Sequence, residues 1–158
     1  MKSPAYTDSK IEYDALFVGK DKGRLKEILK LEQDLIGQGL KTKFLIVGYN
    51  SPMMEYACIL DYISKSKAIV DFQGDWQHGI TLRPLEALFY GKKLITNSKE
   101  VEKMDFYRPG NVFCTYKDDI SNINKFLDSP LEVITDEVFK KYDLTGWVER
   151  FQNKKDEK

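Results

Sequence analysis

The chain has 158 residues, enough for one domain with a substantial core and too few for two complete α/β domains. Its 25 basic and 25 acidic side chains cancel, so no global field draws it to a polyanion or a membrane surface, and any anion site has to be local. That balance makes nucleic acid an unexpected partner, and a hydrophobic content of 42% beside 32% charged residues is that of an ordinary globular protein rather than a disordered or membrane one.

Residues 1–12 are polar and read as a linker-like arm. Their opening, MKSPAYTDSK, lacks the apolar centre of a secretory signal, and no later run approaches the ~18 apolar residues of a membrane span. A cytoplasmic protein with no transmembrane segment is therefore expected. Asp14 to Val18 is a short apolar run closed by Gly19, the pattern of a strand buried on both faces, and a lysine-rich turn leads out of it. Leu25, Ile28, Leu29, Leu35 and Ile36 then recur at helical spacing, with Gly37 and Gly39 as the stop. Lys43 to Val47 repeats the strand-then-glycine pattern and completes a first β-α-β unit.

Met53 to Tyr56 reads as a short extended segment, and Cys58, Ile59, Tyr62 and Ile63 mark one face of a helix ending near Ser66. Ala68 to Phe72 is the next buried strand. A glycine-containing loop, Gln73 to Ile80, enters a helix over Thr81 to Tyr90, with Pro84 in the first turn and Gly91 as the stop. Lys93 to Thr96 reads as a strand, Glu100 to Met104 as a helical turn and Asn111 to Thr115 as a last strand. Helices near Asp119 to Leu127 and Thr135 to Lys141 follow, with Trp147 and Phe151 on a terminal helix before a disordered charged tail, 152–158.

Strands alternating with helices predict a doubly wound, mostly parallel Rossmann-like sheet of about five strands in three α/β/α layers, spanning 13–151. Such a sheet takes ligands at the carboxyl ends of its strands. Cys58 and Cys114 lie far apart in apolar surroundings without C-x-x-C spacing and read as buried free thiols. His78 is the lone histidine, so no multi-histidine metal centre is expected.

The stretch His78 to Glu86 carries the most chemistry. It leaves a buried strand, turns at Gly79 and enters a helix, so the N–H groups of Gly79, Ile80, Thr81 and Leu82 form a seat for a phosphate. Arg83 can add a bidentate contact, Glu86 can accept hydrogen bonds from neighbouring hydroxyls such as those of a ribose, and His78 can reach a phosphate or sugar oxygen. Lys20, Lys22 and Arg24 crowd the loop after the first strand and offer further cations, and which of them faces a phosphate is open. The competing readings are a solvated basic turn, a loop histidine in water, and an exposed glutamate paired with Arg83 one turn away.

The run from Gly79 to Thr96, GITLRPLEALFYGKKLIT, resembles the C-terminal half of two-domain GT-B glycosyltransferases, with a glycine turn, a helix bearing a glutamate, a small-residue stop and a strand. Retaining members that build bacterial polysaccharides place one glutamate eight residues before another. Glu86 matches the second and His78 stands at the first; related transferases carry a histidine there that holds the diphosphate. Lys92 to Asn97 and Asp105 to Val112 are similar to lipopolysaccharide and capsule biosynthesis members.

The resemblance implies a donor-binding domain for a nucleoside-diphosphate sugar, using Lys20, Lys22, Arg24, His78, Arg83, Glu86 and the helix-start N–H groups, without a metal or other cofactor. It also implies a partner, an N-terminal acceptor domain or a separate subunit, that supplies the acceptor and any catalytic base. A flavodoxin- or receiver-like interaction module and half of a nucleotide-sugar epimerase are the alternatives.

Overall fold

A computed structural model describes residues 9–74 and 81–142. Five strands, β1 (Tyr13–Lys20), β2 (Thr42–Val47), β3 (Ser66–Asp71), β4 (Lys93–Thr96) and β5 (Val112–Cys114), form one sheet in the order β2-β1-β3-β4-β5. Every pairing is parallel, with Phe17 opposite Phe44, Leu16 opposite Ile69 and Ile95 opposite Phe113. Five helices accompany them among the described residues: α1 (Leu25–Gly37), α2 (Tyr56–Ser64), α3 (Leu82–Tyr90), α4 (Ile123–Asp128) and α5 (Asp136–Lys140).

Side-chain alternation explains why the strands read as continuous apolar runs. In β1, Ala15 and Phe17 face the layer containing Ile28, Leu31 and Leu35 of α1 and Ile123 and Leu127 of α4. Leu16 and Val18 face the other, which holds Ile63 of α2 and Ala87 of α3. The result is the expected three-layer α/β/α Rossmann-like fold. A third cluster forms on the outer side of α3, where Leu85 meets Phe106 and Val138 of α5.

Several expectations are corrected at the level of single residues. The buried stripe of α1 is Ile28, Leu31 and Leu35, whereas Ile36 is 46% exposed because it falls off that stripe. The segment read as extended over Met53 to Tyr56 pairs with no strand and stops at Glu55, which is extended (φ −69°, ψ 151°), because Tyr56 already belongs to α2. That helix ends at Ser64, and β3 starts two residues later at Ser66. Cys58 is exposed on α2, where Ile59, Tyr62 and Ile63 form the inner face, so only Cys114 is a buried thiol.

The expected helical turn after β4 is a 3-10 helix, Lys99–Lys103. The helix near Asp119 begins as a 3-10 turn, Ile120–Asn122, with Asp119 accepting from the Ser121 N–H at 2.9 Å, before continuing as α4. Of the N-terminal arm, residues 9–12 are described; the Glu12 N–H donates to the Lys65 carbonyl at 2.7 Å. Trp147, Phe151 and the charged tail lie outside the described residues. Among the described residues no helix is long and apolar enough to cross a membrane.

The chain passes from β1 to β2 at one edge and then places β3 on the other side of β1. The strand order thus reverses between β1 and β3, and the helices on either side of that reversal splay apart, leaving a crevice at the carboxyl ends of the strands.

Candidate functional site

A cavity of about 360 Å³ occupies this crevice. Val18 and Val70, near the ends of β1 and β3, form its floor, and Met53, Met54 and Ile59 give it an apolar wall. Lys20, Lys22 and Arg83 supply its cations, and Asp71 is the one carboxylate among the described lining residues.

The basic loop is divided by its backbone. β1 runs as far as Lys20, so Gly19 and Lys20 belong to the strand. Lys22 and Gly23 then take left-handed conformations, φ 50° and 81°, and the Asp21 carbonyl accepts the Arg24 N–H at 2.8 Å. The two left-handed residues turn the chain sharply from strand into helix. Lys20 and Lys22 thereby line the cavity, while Arg24 becomes the N-terminal flank of α1, with its guanidinium 3.7 Å from Glu27 and away from the cavity lining.

Helix α3 starts on the far side of the same crevice, with Thr81 at its N-cap and Leu82 as its first residue. Thr81 lines the cavity and Leu82 does not. The Thr81 hydroxyl makes no bond to its own helix; it donates to Asp71 Oδ1 at 2.8 Å. Asp71, 3% exposed, also accepts at Oδ2 from the Thr96 hydroxyl at 3.1 Å and from Gln73 Nε2 at 3.2 Å. Its carboxylate therefore ties the ends of β3 and β4 to the start of α3. Burial raises its pKa, against the pull of these hydrogen bonds and of Arg83. A second tie joins the loops after β3 and β4: the Gln73 N–H donates to Asn97 Oδ1 at 2.7 Å and Asn97 Nδ2 donates to the Gln73 carbonyl at 2.8 Å.

Glu86 is fully buried. Its Oε1 accepts from Arg83 Nη1, and its Oε2 accepts from the Tyr56 hydroxyl of α2 at 3.1 Å. Arg83 Nη2 donates to the Val18 carbonyl at 3.1 Å, so one guanidinium joins α3 to the end of β1. Burial raises the pKa of Glu86 above its ordinary value, opposed first by Arg83, and burial followed by the Glu86 charge raises that of Tyr56. The Arg83–Glu86 pair anticipated on the helix surface is thus an inward-facing one, with both carboxylate oxygens occupied.

The structure brings Lys20, Lys22, Thr81 and Arg83 to one cavity with Glu86 directly behind, and sets Arg24 and Leu82 apart from it. His78, Gly79 and Ile80 lie outside the described residues. Neither Asp71 nor Tyr56 is among the candidate residues to which the sequence points. A polar residue closing the otherwise apolar run Ala68 to Val70 was a usable signal for Asp71, whereas nothing local marks Tyr56, whose partner is 30 residues away.

A second cavity, also of about 360 Å³, lies near the amino ends of β4 and β5 against α3 and α5, and is lined mainly by apolar side chains such as Leu88, Phe106 and Phe139. Among the described residues, no group of three His, Cys, Asp or Glu side chains is positioned to hold a metal ion. Set against protein-family models, curated proteins and solved structures, the chain matches none of them.

Proposed function

We propose that the chain is the donor-binding domain of a glycosyltransferase of cell-surface polysaccharide assembly, lipopolysaccharide or capsule, acting in the cytoplasm with an N-terminal acceptor domain or a separate acceptor subunit. The observation that carries this reading is the cavity at the β1/β3 reversal, where Lys20, Lys22 and Arg83 gather beside an apolar wall. A nucleoside diphosphate has the matching chemistry. Its diphosphate suits three cations and a helix start, and its base suits Met53, Met54 and Ile59. During transfer, negative charge builds on the departing diphosphate, and fixed cations stabilise it in the role a divalent ion has elsewhere.

The strand order is also that of flavodoxin- and receiver-type domains, which keeps a non-enzymatic module as the second reading. The chemistry at the end of β1 favours the first. A receiver needs clustered carboxylates there to hold magnesium, and Gly19 and Lys20 occupy the place. Asp71 already accepts three hydrogen bonds.

Calorimetric titration of the chain with UDP, GDP, CMP and their sugar conjugates, followed by thermal shift, tests the proposal. Saturable binding of one nucleoside diphosphate, lost in Arg83→Ala, is expected. No binding of any of them at millimolar concentration would sink it.

A further inference from the structure

Glu86 is the residue that sequence reasoning aims at the ribose, yet its carboxylate is fully buried and both oxygens are taken, by Arg83 and by Tyr56. With the carboxylate fully buried, a ribose hydroxyl could reach it only if the contact between α2 and α3 opened. Arg83 presents the opposite arrangement. Its side chain is 19% exposed and lines the cavity, and it is held at two points, by Glu86 and by the Val18 carbonyl. These bonds fix the plane of the guanidinium and leave further N–H groups of the fork for a ligand.

We infer that Glu86 does not touch the ligand but is a positioning residue, anchoring Arg83 so that its guanidinium forms a rigid fork for the diphosphate group. The inference rests on the nucleoside-diphosphate reading and specifies which part of that ligand depends on Glu86. A planar fork already fixed by a buried acceptor loses little side-chain freedom on binding, so it holds a phosphate better than a free arginine would.

The test measures inorganic pyrophosphate, UDP and 2′-deoxy-UDP binding to the wild-type chain and to two variants. Glu86→Leu fills the buried volume but removes the acceptor; Glu86→Gln keeps an acceptor for Arg83. Pyrophosphate affinity is expected to fall at least about tenfold in Glu86→Leu and to be largely retained in Glu86→Gln, with UDP and 2′-deoxy-UDP binding the wild type alike. Unchanged pyrophosphate binding in a folded Glu86→Leu would overturn the inference while leaving the donor-binding reading intact. So would a clear preference of the wild type for UDP over 2′-deoxy-UDP, a comparison that needs no variant to fold. A wild-type chain that binds neither pyrophosphate nor any of the nucleotides titrated above would remove the donor-binding reading, and this inference with it.

Discussion

Asp71 shows how a single carboxylate can be structural and still depend on pH. Its pKa lies above the ordinary 3.8 in the folded state because burial penalises the charge more than three hydrogen bonds and Arg83 favour it. The folded protein then holds a proton that the unfolded chain has released. Stability from this group is fully present below about pH 3.8 and is lost as pH rises through the raised value. Urea unfolding of the wild type between about pH 4 and pH 7 is expected to show this loss, and Asp71→Asn, which cannot titrate, is expected to lack that slope. Tyr56→Phe removes a single bond to Glu86 and is expected to cost about 0.5–1.5 kcal/mol, read as a shift in the urea midpoint. At this scale the sequence offered an Arg83–Glu86 pair only as the competing reading to ligand contacts, because the two lie three positions apart on one helix, and the structure forms that pair. The sequence could not tell that they face inward, since that depends on Tyr56 from another helix and on the end of β1.

Helix α1 separates periodicity from burial. Ile28, Leu31 and Leu35 recur at three and four and pack with Phe17 and Phe44 of the sheet, while Ile36, equally apolar, lies outside the stripe and is exposed. Leu31→Ala is expected to destabilise the fold by about 2–5 kcal/mol through the lost contacts and the cavity left behind. Ile36→Ala should change stability by no more than about 0.5 kcal/mol. Denaturant melts of the two variants check the pair, and similar losses would mean that the helix is rotated from its described packing. The strands were legible because a parallel sheet covered on both faces needs unbroken apolar runs, and β1 and β3 supply them. Their ends were less so. Gly19 and Lys20 read as an exit loop, but pairing of Gly19 with Ile46 and of Lys20 with Val47 carries β1 on to the edge of the cavity. Those two extra residues place Lys20 at the mouth of the site.

At the scale of the molecule, strand order decides where a ligand can sit, and no local pattern specifies it. Alternating elements announced an α/β sheet, but the placement of β3 beside β1 rather than beside β2 is a long-range pairing that only the assembled core selects. With net charge near zero, the anion affinity that the proposed function requires cannot come from the whole protein; it would have to come from Lys20, Lys22 and Arg83, brought within one crevice by that order. Such a local field is screened over about 10 Å at 0.1 M salt. UDP affinity is therefore expected to fall as salt rises, and Lys20→Ala/Lys22→Ala should lower affinity at low salt by about tenfold while flattening that salt dependence. Arg24→Ala provides the contrast, because Arg24 has the same charge and comes from the same loop but pairs with Glu27 outside the lining. It is expected to leave both affinity and salt dependence within about twofold of wild type. Isothermal titrations at two salt concentrations check both variants. Equal losses in the two would mean that the loop acts through its summed charge, and that the division of the loop by its two left-handed residues has no bearing on binding.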